Sequence, residues 1–318
     1  MSLTPKKIFK QFEGNEINKF AAFEQLVSFI ENSEDDSIRF DAIQILDKIC
    51  VFNDSLFTIL ENIIISEVNE KIRNAAIQFI NNRFLNKALV PLKWAIKNET
   101  DYNCLVSIIK SLENIRNHRS KSILFKEVKK IKNHKYINKE KEIENKKFKK
   151  IIKNLLKSKK YDYFTNEELS QILINYLTIV NLTKVFPNVY YELDPLNGLV
   201  SELDLSDYLE YEVKGTPFGW KNNIISISEI PGLNYLKQLK KIDLSNNQVE
   251  HIKDLTVLEN ITHLILTNNK ISELVNLDYI KNFKNLEYLD LRGNKVALKT
   301  SLDKFNPKIR VLLRESYL

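Results

Sequence analysis

The sequence is poor in the residues that mark flexible linkers, disulfide scaffolds and membrane spans. Its 318 residues include 6 glycines, 7 prolines, 2 cysteines and 1 methionine. Scarce glycine and proline argue against disordered linkers. Cys50 and Cys104 each lie inside an apolar helical pattern, which predicts two buried free thiols and not a disulfide. The first residues, Met1–Lys7, lack the apolar run of a secretory signal, and no run of 18 uncharged apolar residues occurs, so we expect no transmembrane segment and a cytoplasmic protein.

The sequence also lacks the short motifs that identify common active sites. Its six glycines are isolated, which excludes a phosphate-binding glycine loop and a dinucleotide fingerprint. Neither Gly-x-Ser-x-Gly nor His-Glu-x-x-His occurs, and the four histidines have no metal-ligand spacing. We therefore expect no catalytic residue, no metal and no cofactor, and we predict that the protein is not an enzyme.

What the chain does contain is a pattern that occurs three times near its C-terminus. Two apolar residues alternate as in a short strand, which points both of them into one core. The Asn that follows has an amide able to bond backbone groups of a tight turn, so we expect a structural ladder of asparagines. One unit cannot bury its apolar face alone, so the units must stack. The three segments begin 22 and 25 residues apart and read Leu239-x-x-Ile242-x-Leu244-x-x-Asn247, Ile261-x-x-Leu264-x-Leu266-x-x-Asn269 and Leu286-x-x-Leu289-x-Leu291-x-x-Asn294.

This pattern resembles the leucine-rich repeat. The resemblance implies a short parallel sheet whose outward side chains line the usual partner surface of that family. A weaker unit opens at Val200, and the interval from Val200 to Leu239 is 17 residues longer than the 22-residue unit, which predicts an insertion near 206–224. Within it, Phe218 and Trp220 are candidate partner contacts, because exposed loop aromatics often bind. Covering the open end of the repeat array is their alternative role.

The outward positions of the three strands supply the other candidate partner contacts. They alternate with the core positions, and they include Tyr and Arg, which are enriched at interface hot spots. An ordinary solvated strand surface is the alternative interpretation. The candidate residues are Lys241, Asp243, His263, Ile265, Tyr288, Asp290 and Arg292.

The N-terminal part carries a second repeat, with a period of 34 residues. When the sequence is shifted by 34 residues, the segment Ile38-Arg39-x-x-Ala42-Ile43-Gln44 aligns with Ile72-Arg73-x-x-Ala76-Ile77-Gln78. Each copy is an amphipathic helix preceded by another, and a degenerate third copy follows. Over roughly 15–116 this resembles the HEAT-type helical repeat, which implies stacked helix pairs. In that family the recurring Arg bonds acidic residues of adjacent units, and Asp35, Asp36 and Glu70 are the candidates here.

Between the two repeat regions lies a strongly basic segment, Lys121–Lys160. It holds 16 Lys, 4 Glu, no Arg and no Asp, whereas the whole chain carries a net charge of +7. Apolar residues keep a helical period through it, so we predict Lys-rich helices and then a further helix starting near Thr165. Many lysines suit phosphate contacts, but base recognition relies on Arg, and aromatic residues are sparse in the segment. Binding of nucleic acid or an anionic surface is therefore the less favoured hypothesis.

Together these patterns predict an α plus α/β repeat fold, with a HEAT-like helical solenoid followed by a leucine-rich repeat solenoid with a short parallel sheet. We expect helical repeats over 1–120, a lysine-rich helical bridge and cap over 121–195, and leucine-rich repeats over 196–318. The predicted function is a non-catalytic scaffold or adaptor that binds a protein partner through its solenoid surfaces. The alternative is a nucleic-acid-binding or DNA-repair-type HEAT protein that uses Lys121–Lys160.

Overall fold

A computed structural model describes residues 3–51, 53–131, 146–211 and 217–314, with the backbone alone at 208–211 and 217–220. The chain divides into two compact units, each of which is described by itself. The first comprises residues 1–126 and 165–170, and the second comprises 127–164 and 171–318.

The first unit is helical, and side-chain caps set most of its helix starts. The caps Thr4, Asn18, Asp35, Asn53, Asn69 and Asp101 each accept a backbone N–H of the first turn. The N-cap residue of α6, Ala88, makes no side-chain cap hydrogen bond. The helices are α1 Pro5–Glu13, α2 Lys19–Asn32, α3 Asp36–Ile49, α4 Asp54–Ser66, α5 Glu70–Arg83, α6 Leu89–Asn98 and α7 Tyr102–Ile115.

Charged side chains connect successive helix pairs in this unit. Arg39 on α3 bonds Glu67, which follows α4, and it also lies 3.5 Å from Asp36. Arg73 on α5 makes two bonds, of 2.8 and 2.9 Å, to Glu99, which follows α6. The bonds to adjacent units thus go to Glu67 and Glu99 and not to the predicted candidates Asp35, Asp36 and Glu70, because the Asp36 contact lies within α3 itself. The carboxylates that these arginines reach belong to the loops that end α4 and α6, one unit further along the chain.

The two cysteines lie in different environments. Cys104 is buried in α7, as predicted, whereas Cys50 is exposed, so the prediction of a second buried thiol is wrong. The reason is that α3 ends one residue earlier, at Ile49, and Cys50 takes the left-handed conformation of a helix C-cap with φ 59°. Its side chain therefore leaves the apolar face that the pattern predicted.

Three further helices follow along the chain, namely α8 His118–Ile131, α9 Lys146–Ser158 and α10 Asn166–Val185. The predicted start of α10 is confirmed by a reciprocal capping box. The Glu168 N–H donates to Thr165 Oγ1 at 3.0 Å, and the Thr165 N–H donates to Glu168 Oε2 at 2.8 Å. Further along α10, Asn175 Oδ1 accepts the backbone N–H of Val200 at 2.9 Å, which ties the helix to the start of the sheet.

The second unit contains a six-stranded sheet in the order β1-β2-β5-β6-β7-β8. The pair β1–β2 is antiparallel, and the other four pairings are parallel. Short helical segments lead from each parallel strand to the next, including α11 Val275–Ile280 and α12 Lys295–Leu298. The strands are β1 Tyr190–Leu193, β2 Val200–Asp204, β5 Lys241–Asp243, β6 His263–Ile265, β7 Tyr288–Asp290 and β8 Arg310–Leu312.

One face of this sheet forms the core of the repeat units. Ile242, Leu264 and Leu289 stand in one row on adjacent strands and are fully buried. Burial of each such side chain contributes about 1.5–3 kcal/mol relative to exposure. Since the buried row runs through every unit, each unit covers the apolar edge of the next, as the repeat pattern predicts.

The predicted asparagine ladder is confirmed. Asn269 shows the pattern: its Nδ2 donates to the carbonyls of Leu244 and Leu266 at 2.8 and 3.0 Å, and its Oδ1 accepts the N–H of Val249 at 2.9 Å. Asn247 and Asn294 make equivalent bonds within and between their own units. These buried amides satisfy backbone groups that neither the strands nor the short helices reach.

A fourth asparagine of the ladder, Asn222, precedes these three, and the sequence pattern did not reveal it. Asn222 Nδ2 donates to the carbonyls of Leu205 and Asn188, and its Oδ1 accepts the Asn188 N–H. Asn222 stands two residues before Ile224, just as Asn247 stands two residues before Val249. The insertion separates Asn222 from its strand and so concealed the rung. Its predicted range contains a two-stranded hairpin, β3 Tyr208–Tyr211 with β4 Pro217–Trp220.

Candidate protein-binding surface

The opposite face of the six-stranded sheet carries the residues that the sequence singled out. Backbone register places these side chains in two neighbouring rows that cross the strands. The first row runs Glu202, Lys241, His263, Tyr288 and Arg310, and the second runs Asp204, Asp243, Ile265, Asp290 and Leu312. The structure thus brings together Lys241, Asp243, His263, Ile265, Tyr288 and Asp290, with Arg292 two residues beyond Asp290.

Aromatic and cationic groups gather at the β8 end of the first row. The rings of His263 and Tyr288 are stacked, with centroids 5.6 Å apart, and the Arg310 guanidinium lies 5.8 Å from the Tyr288 ring centroid. Burial, together with the nearby Asp290 carboxylate, raises the pKa of the Tyr288 hydroxyl above its ordinary value. The hydroxyl therefore stays protonated at neutral pH and can serve as a hydrogen-bond donor.

Asp290 and Arg292 form a local pair that differs from the other candidates. The Arg292 Nε lies 3.0 Å from Asp290 Oδ1, and its Nη2 lies 2.7 Å from Oδ2. Asp290 is 1% exposed. Burial by itself raises the Asp290 pKa, but hydrogen bonds from Arg292 outweigh burial and hold that pKa below its ordinary value. A partner reaches the Asp290 carboxylate only by displacing Arg292, whose guanidinium is already engaged.

At the other end of the second row, two carboxylates stand on adjacent strands. Asp204 and Asp243 occupy directly opposed positions. Burial first, and then repulsion from Asp204, raise the pKa of Asp243 above its ordinary value, although hydrogen bonds from Ser245 lower it in part. In the first row, Lys241 Nζ lies 3.4 Å from Glu202 Oε2. The outward side of the sheet is therefore acidic toward β2, and Ile265 separates this part from the aromatic end.

The antiparallel strand β1 extends the same face, which sequence reasoning did not anticipate. Tyr190 pairs with Asp204 and Glu192 pairs with Glu202, so both rows gain a residue. Lys147 on α9 binds this edge: its Nζ lies 2.6 Å from Glu192 Oε1 and 4.1 Å from the Tyr190 ring centroid. The hydrogen bond from Lys147 lowers the Glu192 pKa. The alternation in Tyr190-Tyr191-Glu192-Leu193 was the available signal.

The other two candidates, Phe218 and Trp220, lie on β4 of the insertion hairpin, and their side chains are outside the described residues. The base of the hairpin is described. Asp207 Oδ1 accepts the backbone N–H groups of Asn222 and Asn223, and the Asp207 N–H donates to the Ser245 carbonyl at 3.0 Å. Both ends of the insertion are thus fixed to the edge where the parallel strands finish.

The described ranges contain neither a metal-binding cluster nor a membrane-spanning helix. No group of three or more His, Cys, Asp or Glu side chains there is arranged to hold a metal ion. None of the helices in those ranges is long and apolar enough to cross a bilayer.

Comparison with known proteins identifies the repeat type of the second unit. A leucine-rich repeat family model matches residues 220–312. The match begins at the end of the insertion hairpin and includes strands β5–β8, so this part of the chain is a leucine-rich repeat region, as the spacing predicts. A search of curated proteins found no match, and neither did a search of solved structures.

Proposed function

We propose that the protein is a non-catalytic scaffold or adaptor that binds a protein partner through the outward face of its leucine-rich repeat sheet. We call this the sheet face and define it by Lys241, Asp243, His263, Ile265 and Tyr288. Leucine-rich repeats generally mediate protein–protein interactions, and the matched region includes all five residues. The observation that carries the proposal is their register, because it aligns acidic, apolar and aromatic groups on one continuous surface.

The middle of the sheet face has the composition of an interface core. Ile265 is a β-branched apolar residue between Asp243 and Asp290, and Tyr288 and His263 stack in the neighbouring row. Aromatic residues are enriched at the centre of interfaces, where charged residues are depleted. We assign the anchoring role to Ile265 and Tyr288, and a rim role to Lys241 and Asp243. Phe218 and Trp220 remain proposed contacts on the basis of their position in the insertion.

The first unit is proposed to consist of HEAT-type helix pairs, α2–α3, α4–α5 and α6–α7. Support comes from bonds that recur between equivalent positions of neighbouring pairs. Ser107 bonds Asn74 at 2.6 Å and Asn114 bonds Asn81 at 3.1 Å, both 33 residues apart, and Asn69 bonds Asp36 at the same separation. Arg39 and Arg73 stand 34 residues apart, and each bonds a carboxylate of the next helix pair, Glu67 or Glu99. We keep 1–120, 121–195 and 196–318 as the proposed division by role, and the cytoplasm as the proposed compartment.

The experiment compares partner capture by three forms of the full chain. Ile265→Ala with Tyr288→Ala removes the two proposed anchors. Leu274→Ala with Leu298→Ala removes two apolar side chains that are 52% and 72% exposed on the return segments. Each form is used as bait in extract of the native host, and bound proteins are quantified by mass spectrometry.

We expect at least one protein to be enriched equally by the wild type and the return-segment variant, and to be lost with the anchor variant. Loss of two anchors typically weakens an interface by about 2–4 kcal/mol, which is roughly a 30-fold to 1,000-fold change in Kd. Equal capture by all three forms contradicts the assignment of the sheet face. Absence of any enriched protein over an unrelated bait contradicts the scaffold function itself.

A further inference from the structure

The helix α9 presents a line of lysines on one side. Lys146, Lys150, Lys153 and Lys157 recur at intervals of four, three and four residues, which places them on one helix face, and all four are exposed. We call these four residues the lysine face. Lys146 and Lys157 are eleven residue steps apart, so the line is about 16 Å long. Among the described residues, no carboxylate oxygen lies within 4.0 Å of the ammonium group of any of the four.

The other side of α9 is occupied by packing within the second unit. Phe148, Ile152 and Leu155 are buried, and the Phe148 ring lies 5.3 Å from Tyr176 and 5.4 Å from Tyr191 between centroids. These contacts hold the helix on the sheet and fix the direction in which the lysine face points. They also remove the apolar side of α9 from any membrane, because an interfacial helix needs that side free for insertion.

The lysine face is electrostatically unfavourable for the isolated helix. Lys146 and Lys150, like Lys153 and Lys157, are like charges four residues apart, a spacing that destabilises a helix. The first turn of α9 contains no acidic residue, although the helix dipole favours negative charge there. No Asp or Glu occurs anywhere between Lys146 and Lys160. An anionic partner along this line relieves the repulsion and complements the dipole.

We propose that the lysine face of α9 binds the phosphate backbone of double-stranded nucleic acid, independently of base sequence. The length of the line fits this occupant, since one strand of a duplex presents about five phosphates over 16 Å of axis. The residue type fits as well. Lysine is a flexible point charge suited to single phosphates, whereas base recognition and bidentate contacts rely on arginine, and α9 contains no arginine.

Salt titration of the full chain with a generic duplex tests this proposal. Binding of a fluorescent duplex of about 24 base pairs is followed by anisotropy at salt concentrations from about 50 to 200 mM. Four neutralised phosphates predict a slope of log K against log salt of about −3.6, and hence a loss of affinity of roughly 100-fold over this range. Replacement of the four lysines by glutamine, as K146Q/K150Q/K153Q/K157Q, should make the slope shallower by about 3 to 4.

A matched variant separates a specific surface from general basicity. K237Q/K284Q/K295Q/K308Q removes the same charge at four exposed lysines of the repeat region and should leave the slope nearly unchanged. Because the substitutions in α9 relieve repulsion, thermal melting should show that this variant is at least as stable as the wild type.

Three outcomes overturn the proposal. One is no duplex binding by the wild type at about 50 mM salt and tens of micromolar protein. Another is an equal loss of binding in both variants. The third is binding that depends on the lysine face but occurs only with vesicles containing phosphatidylserine or only with polyglutamate, which would assign the surface to a membrane or to an acidic protein.

Discussion

The helix pairs of the first unit and the leucine-rich repeats of the second attach one repeat to the next with different side chains. Between helix pairs, Arg39 and Arg73 reach carboxylates at partly buried positions. Between leucine-rich units, buried amides such as Asn269 bond backbone groups. The backbone explains the difference. A helix satisfies most of its own N–H and C=O groups, whereas a tight repeat turn leaves several of them without a partner in the same unit.

This contrast indicates how the two regions should respond to change. An ion pair depends on pH and salt, and either partner can be solvated when the other is removed. A buried amide is insensitive to both conditions, but it serves several backbone groups at once. Loss of one amide should therefore cost more than loss of one arginine, and acid should weaken the connections between helix pairs before the connections between leucine-rich units.

The largest effect is expected for Asn269→Ala. The substitution leaves the Val249 N–H without its bond to Asn269, whereas the Leu244 and Leu266 carbonyls each lose one bond and keep another, from Asn247 and Asn294 respectively. An unsatisfied buried group costs about 1–3 kcal/mol and each further lost hydrogen bond about 0.5–1.5 kcal/mol, so we expect a loss of about 3 kcal/mol in the free energy of unfolding. Urea unfolding, monitored through the hydrogen exchange of peptides from β5–β7, measures this loss in the repeat region itself.

An exposed amide provides the control for this prediction. Asn285 Nδ2 donates to the Glu259 carbonyl at 3.3 Å, so it also spans two units, but it is exposed to solvent. Asn285→Ala should cost less than about 0.5 kcal/mol. If the two variants lose similar stability, burial of the Asn269 amide does not explain how much it contributes to the free energy of unfolding.

A smaller effect is expected for Arg73→Gln in the helical unit. Glu99 is 6% exposed at its side chain, and without Arg73 its carboxylate keeps only the backbone N–H groups of Thr100 and Asp101. We expect a loss of about 2 kcal/mol at neutral pH, measured by exchange of peptides from α5–α7. Lys87→Gln is the control, because its partner Asp54 is 88% exposed, and its loss should be below about 0.5 kcal/mol.

The same pair predicts an acid dependence. Burial raises the Glu99 pKa, but hydrogen bonds from Arg73 and two backbone N–H groups outweigh burial and lower it overall. A lowered folded-state pKa means that the stabilisation is present above the unfolded value of about 4.3 and is lost as pH falls through the folded value. Stability of the α5–α7 peptides should therefore fall below about pH 4.5, and more steeply in the wild type than in Arg73→Gln. Equal slopes contradict the pairing.

Some features of the two regions could be predicted from the sequence and others could not, for physical reasons. The repeat period fixed the strands and the asparagine ladder, because both recur at every unit. The adjacent-unit partners of Arg39 and Arg73 were misassigned because Glu67 and Glu99 lie in loops, which the helical pattern of apolar residues does not describe. Asn222 was missed because the insertion shifts its spacing, and β1 was missed because an antiparallel edge strand lies outside the repeat. The repeat period by itself does not show that Arg292 is bonded to Asp290, nor that Lys241 is more accessible to a partner.

The smallest effect concerns the sheet face, where Asp243→Asn should stabilise the repeat region. Asp243 stands directly opposite Asp204, and burial together with this like charge raises its pKa. Like charges directly opposite in a sheet cost a few tenths of a kcal/mol, so removing one should gain about 0.5 kcal/mol at neutral pH and low salt. Because the folded-state pKa is raised, the penalty belongs to the ionised form, and the gain should vanish below about pH 4.

The exposed Asp254 of the same repeat serves as the reference, since Asp254→Asn removes the same charge away from the row. It should change stability by less than Asp243→Asn at pH 7. An unchanged or lower stability of Asp243→Asn at low salt would show that the hydrogen bonds from Ser245 to the carboxylate outweigh the repulsion from Asp204. The observed sign thus decides whether this end of the sheet face holds an unrelieved negative charge, which a basic partner group would neutralise, or a locally compensated one.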